Sequence, residues 1–115
     1  MALNVWYLDD EKELCEIFAD VFSSVEVVIR TFVDPTEMIE ASKSATPDLM
    51  FIDFRLPSTN GGEVAKSIDP AIPKVLVTGD IAVQTDYPFL KVFSKPYPYG
   101  EIQAVLDAYL KSPKA

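Results

Sequence analysis

"LMFIDFRLP", residues 49–57, decides how this chain folds. Leu49 to Ile52 are apolar without alternation, as in a strand covered on both faces, and the run stops on a carboxylate, Asp53, with Pro57 four residues further on. A strand of that kind belongs in a parallel sheet, whose connections are helices. The flanking sequence should then alternate strands with helices, and it does. Leu3 to Leu8 reads as a first strand, followed by a helix from about Glu11 to Ser23 in which Leu14, Ile17, Phe18, Val21 and Phe22 recur at three-to-four spacing. "VEVVIRTF" (25–32) is rich in β-branched residues and reads as the second strand. Asp34-Pro35-Thr36-Glu37 starts the second helix, with Asp34 as N-cap, Pro35 at the first helical position and Glu37 within reach of the cap. After the central strand come a short helix over 62–68, a fourth strand "IPKVLVT" (72–78) and a fifth "FLKVFS" (89–94). Ile102, Val105, Leu106, Tyr109 and Leu110 mark a terminal amphipathic helix that ends before Pro113. The expected fold is α/β, a doubly wound five-stranded parallel sheet in the order 2-1-3-4-5. It forms one domain over residues 1–112, with a tail at 113–115.

Composition narrows what such a domain can do. The chain has 115 residues, 49% hydrophobic and 24% charged, as in a single globular domain. It has no run near the roughly 20 apolar residues of a membrane span and no signal-peptide pattern, so a cytoplasmic protein is expected, without membrane contact. The lone Cys15 has no partner for an internal disulfide, and the absence of histidine rules out a Cys-His zinc site and a Ser-His pair. A net charge of -8 disfavours nucleic acid and favours proteins, small molecules or cations as partners.

Ligands of open α/β sheets sit beyond the carboxyl ends of the strands. Asp9 and Asp10 follow the first strand, Asp53 ends the third, Thr78 ends the fourth and Lys95 follows the fifth. All five fall on one edge. In the order 2-1-3-4-5 the first and third strands are neighbours, which brings three carboxylates together. Two carboxylates about 4 Å apart repel by roughly 4 kcal/mol at an effective dielectric of about 20, so the cluster requires neutralisation. Lys95 supplies one positive charge. A divalent cation supplies two, and Mg2+ suits an open site of carboxylates, waters and phosphate. Asp53 can then serve as a nucleophile toward phosphorus, with Thr78 and Lys95 holding the oxygens of the transferred group. Taken singly, each residue has a plainer reading: Asp9 and Asp10 as a solvated turn with Asp10 as N-cap, Thr78 as a strand residue, Lys95 as a surface lysine.

Four motifs in order give the chain a resemblance that no single one carries: "YLDDE" (7–11), "FIDFRLPSTNGG" (51–62), "VLVTGD" (75–80) and "FSKPY" (93–97). Together they resemble the receiver domains of two-component response regulators, of the CheY-like superfamily. The resemblance implies a flavodoxin-like fold and a signalling domain rather than an enzyme acting on a separate substrate. It implies that Asp53 accepts a phosphoryl group from a histidine kinase, a histidine phosphotransfer protein or a small phosphodonor, switching contacts with a downstream protein. It also implies that Asp10, Asp53 and the backbone carbonyl of Arg55 bind Mg2+ with Asp9 helping through water, and that the bond before Pro96 is cis. Homodimerisation is left open.

The chain departs from the family pattern in two places. Only ten residues separate Thr78 from Phe89, fewer than a parallel crossover with its helix normally takes, so the fourth helix should be shortened or missing. Three residues before the lysine, where the family often has an aromatic that reports phosphorylation, stands Val92, and the adjacent Phe93 should face the other way. Signalling should then use another surface or the 79–88 loop. Arg55 and Asp80 each lie two residues past a site residue and could pair at its rim. A degenerate receiver that binds partners without phosphate is the alternative; a haloacid-dehalogenase-like phosphatase would need an aspartate where Arg55 stands.

Overall fold

The computed structural model describes residues 2–79, 85–96 and 98–111. Five strands, β1 (Leu3–Leu8), β2 (Val27–Phe32), β3 (Leu49–Asp53), β6 (Lys74–Thr78) and β7 (Lys91–Ser94), form one parallel sheet in the order β2-β1-β3-β6-β7. This is the expected 2-1-3-4-5 order; the last two strands are numbered six and seven because a small antiparallel hairpin, β4 (Arg55–Leu56) and β5 (Thr59–Asn60), intervenes. Four helices are described, α1 (Lys12–Phe22), α2 (Pro35–Ser42), α3 (Gly61–Lys66) and α4 (Tyr99–Lys111). Among the described residues no helix lies between β6 and β7, and none is long and apolar enough to cross a membrane.

Strand alternation divides the core in two. Val5, Tyr7, Phe51, Val77 and Phe93 face α1 and α4, where they meet Phe18, Phe22, Ile102 and Leu106. Trp6, Leu8, Met50 and Ile52 face α2 and α3, with Met38, Val64 and Ala65. Burying a side chain of this size stabilises the fold by roughly 1.5–3 kcal/mol, so apolar residues on both faces hold the central strands in place. At the start of α2 the Asp34 carboxylate accepts from the Thr36 N–H at 2.9 Å, with Pro35 in the first turn, as the sequence led us to expect.

Strand β6 starts at Lys74 rather than Ile72, β7 at Lys91 rather than Phe89, and α3 spans Gly61–Lys66 rather than 62–68; three further local features differ from the expectation. Ile17 and Val21, which the three-to-four spacing puts on the inner face of α1, are 42% and 47% exposed, while Cys15, a core residue as expected, is buried with Phe18 and Phe22. The Cys15 thiol donates to the backbone oxygens of Asp9 and Phe32, which turns that side of α1 inward. The second strand begins at Val27 rather than Val25, because Ser24 and Val27 close a turn through mutual backbone bonds. The hairpin after β3 was not expected. Its two-residue turn has Pro57 first and Ser58 second with φ 66°, the pattern of a type II turn.

Candidate functional site

Register brings the polar residues together. Leu8 pairs with Ile52, so Asp9 and Asp53 follow on neighbouring strands. Asp53 pairs with Val77 and Thr78 with Ser94, which leaves Lys95 just beyond β7, its N–H donating to the Thr78 carbonyl at 2.7 Å. The bond between Lys95 and Pro96 is cis. Asp9, Asp10 and Asp53 offer carboxylate oxygens that all lie within 4.8 Å of one another. The expected convergence at the sheet edge is therefore present.

Buried groups fix its inner half. Asp9 is fully buried; one carboxylate oxygen accepts from the Tyr7 hydroxyl and the Lys95 ammonium, both at 2.8 Å, and the other accepts from the Glu11 N–H at 2.9 Å. Lys95 also reaches Asp53 at 3.1 Å. Burial pulls the Lys95 ammonium down, but its hydrogen bonds and attraction to Asp9 and Asp53 outweigh this and hold it above the ordinary lysine range. Asp53, 4% exposed, is pushed up to about 6 by burial and then by the Asp9 charge, with the Lys95 bond opposing. Burial and the Asp9 charge push the Cys15 thiol up to about 11, which makes it a buried donor and not a nucleophile. Asp10 is exposed. No side chain caps α1, whose N-cap residue is Glu11, so the plainer reading of Asp10 as N-cap does not hold.

Three carboxylates against one ammonium leave two negative charges at an open edge of hard oxygen donors. That donor set fits a small divalent cation. Thr78 is buried, 2% exposed, and Arg55 is exposed at the start of β4, where it pairs with Asn60. Asp80, its suggested partner, lies outside the described residues, as do residues 81–84, Tyr97 and the tail.

The loop that closes the site depends on Gly61. Its N–H donates to the Phe54 carbonyl at 2.8 Å, and a Cβ there would lie 2.7 Å from the Asp53 backbone oxygen. Two supports were not singled out from the sequence, the Tyr7 hydroxyl and the Cys15 thiol. Tyr7 stands two residues before Asp9 and therefore on the same side of the chain, a signal that was available.

The family model for the response regulator receiver domain matches residues 5–105. The chain is 29% identical over 114 residues to the DNA-binding transcriptional regulator NtrC of Escherichia coli (strain K12), covering 90% of this chain and 24% of that protein. It is 25% identical over 118 residues to the DNA-binding response regulator MtrA of Mycobacterium leprae (strain TN), covering 96% and 52%. It thus spans about a quarter to a half of the length of these relatives. Among solved structures, the signal receiver domain of an HD domain-containing protein from Pseudomonas fluorescens Pf-5 superposes with TM-score 0.86 at 17% identity, covering 97% of both chains. The response regulator protein TrrA from Thermotoga maritima, in complex with Mg(2+)-BeF, superposes with TM-score 0.81 at 20% identity, covering 94% and 98%. At these identities the structural likeness is one of fold.

Proposed function

The chain belongs to the response regulator receiver domain family, and on that premise we propose that Asp53 accepts a phosphoryl group in a magnesium-dependent transfer. The observation that carries this reading is Asp53 itself: a buried carboxylate at the end of the central strand, 3.1 Å from the Lys95 ammonium and beside two further carboxylates. Asp10, Asp53 and the Arg55 carbonyl would hold Mg2+, with Asp9 assisting through water. When bound, the cation supplies positive charge that keeps Asp53 ionised and offsets charge on the phosphoryl oxygens.

A carboxylate oxygen of Asp53 attacks phosphorus of a phosphohistidine on a histidine kinase or phosphotransfer protein, or of a small phosphodonor. The new O–P bond forms as the bond to the donor breaks, and the donor leaves with that electron pair. Lys95 and the Thr78 hydroxyl hold the transferred oxygens. The phosphorylated domain then acts on a downstream protein. A net charge of -8 favours a protein surface over nucleic acid as the contact of this domain. The assembled carboxylates and Lys95 support this reading over a receiver that binds partners without phosphate.

Intact-mass measurement after incubation with acetyl phosphate and magnesium tests it. One phosphoryl group is expected on the parent chain, and none on Asp53→Asn or on the parent with EDTA. An unmodified parent, or equal modification of Asp53→Asn, would sink the proposal.

A further inference from the structure

Two adjacent glycines open α3, and each lets a different neighbour approach closely. A Cβ on Gly61 would lie 2.7 Å from the backbone oxygen of Asp53, and one on Gly62 would lie 2.6 Å from the Thr85 hydroxyl oxygen. The first turn of α3 is wedged between the strand end that carries Asp53 and the segment 85–90 that leads into β7. That segment is fastened at three points, two on α3 and one on Lys74 at the start of β6. Thr85 rests on Gly62 while its hydroxyl accepts from the Tyr87 N–H at 3.2 Å. Asp86 pairs with Lys66, the last residue of the helix, at 2.8 Å. The Tyr87 hydroxyl accepts from Lys74 at 2.9 Å, and the other two bonds of that ammonium go to the backbone oxygens of Asp69 and Ile72, just past the helix.

These points differ in strength. The Asp86–Lys66 pair is exposed and contributes little. Lys74 is only 2% exposed and spends all three N–H donors on the clasp, so the Tyr87 end is held firmly. Strand β7 offers no comparable connection on the α3 face: Val92 is 57% exposed, and Phe93 packs in the opposite core.

From these contacts we infer that the state of Asp53 reaches segment 85–90 through α3, by way of the Gly61–Gly62 step and the seat of Thr85 on Gly62. The inference rests on Asp53 being the phosphate acceptor. A group added to Asp53 shifts the strand end against which Gly61 is packed; Gly62 moves with it, and the Thr85–Tyr87 clasp is displaced. Close-packed contacts pass such shifts on because they cannot absorb them.

The test uses the 115-residue chain with magnesium and beryllium fluoride, a phosphoryl mimic. The fluorine resonance of the bound mimic reports occupancy of Asp53, and amide hydrogen exchange reads 61–66 and 85–90 separately. In the parent both segments should change exchange rate together, by about fivefold or more. Gly62→Ala, which displaces the Thr85 hydroxyl, should keep the fluorine signal and the response at 61–66 but lose the response at 85–90. Gly62→Ala with Thr85→Ala should recover it, because the remaining Cβ of residue 85 lies 3.5 Å from the added methyl, an ordinary contact. Thr85→Ala alone should weaken the response and serves if Gly62→Ala does not fold. A fluorine signal with 85–90 unchanged in the parent overturns the inference, as does an undiminished response in Gly62→Ala or Thr85→Ala. No fluorine signal in the parent overturns the phosphate-acceptor reading, and the inference falls with it.

Discussion

In metal-free protein the Asp53 carboxyl is pushed from 3.8 up to about 6, by burial first and by the Asp9 charge second. Between these values the folded chain keeps a proton that the unfolded chain has released. Stability is therefore highest below the unfolded value and is lost as pH rises through the folded one. The loss amounts to roughly 2–3 kcal/mol above that window. Asp53→Asn cannot ionise, and Lys95 retains its bond to Asp9 in that variant. In urea melts with EDTA, Asp53→Asn should be more stable than the parent by about 2 kcal/mol at pH 7.5 and should lose that advantage at pH 3.5. Magnesium should narrow the gap at pH 7.5 by stabilising the parent. An advantage of equal size at both pH values would show that burial and charge at Asp53 are not its source.

At the scale of the element, two helical glycines should respond to the same substitution with opposite sign. Gly61 opens α3 against the Asp53 carbonyl at 2.7 Å, with Leu76 at 2.9 Å and the Phe54 Cα at 3.1 Å from the position of an added methyl. Two of these three neighbours are backbone and cannot swing aside. Gly61→Ala should cost about 1–3 kcal/mol of stability and slow phosphorylation by acetyl phosphate. Gly100, in the first turn of α4, has nothing within 4 Å, and Gly100→Ala should leave phosphorylation unchanged and raise stability by up to about 1 kcal/mol. Denaturation midpoints and phosphorylation rates of the two variants, measured side by side, check both signs. Equal effects would mean that backbone freedom, and not the close approach at Asp53, decides the response.

For the molecule as a whole, Lys74 ties the far end of β6 to the segment that enters β7. It is a charged residue inside a strand, 2% exposed, with its ammonium shared among the Asp69 and Ile72 carbonyls and the Tyr87 hydroxyl. Lys74→Met keeps most of the apolar stem and leaves those three oxygens without their donor. It should lower stability by about 1–3 kcal/mol while Asp53 is still phosphorylated at the parental level. Chemical denaturation and intact mass separate the two effects. A variant as stable as the parent would mean that water replaces the ammonium at no cost.

The apolar runs made the parallel sheet and the residues at its carboxyl edge legible, whereas the strand order was supplied by the known doubly wound arrangement and not by the pattern. Apolar runs such as Leu49 to Ile52 can be satisfied only by cover on both faces, and Asp9, Asp10, Asp53, Thr78 and Lys95 then share one edge by chain position alone. Capping chemistry was equally legible at Asp34 and Pro35, because it is local. Tertiary structure alone decided what depends on contacts between distant segments. It left Ile17 at the surface, buried Lys74 against Tyr87, and set the Tyr7 hydroxyl beside Lys95 on one carboxylate oxygen of Asp9. It also gave Gly61 and Gly62 different close neighbours, the Asp53 backbone for one and the Thr85 side chain for the other. A charged side chain in a strand, or a pair of glycines at a helix start, reads the same in sequence whatever packs against it; the neighbour that gives it a role is brought there only by folding.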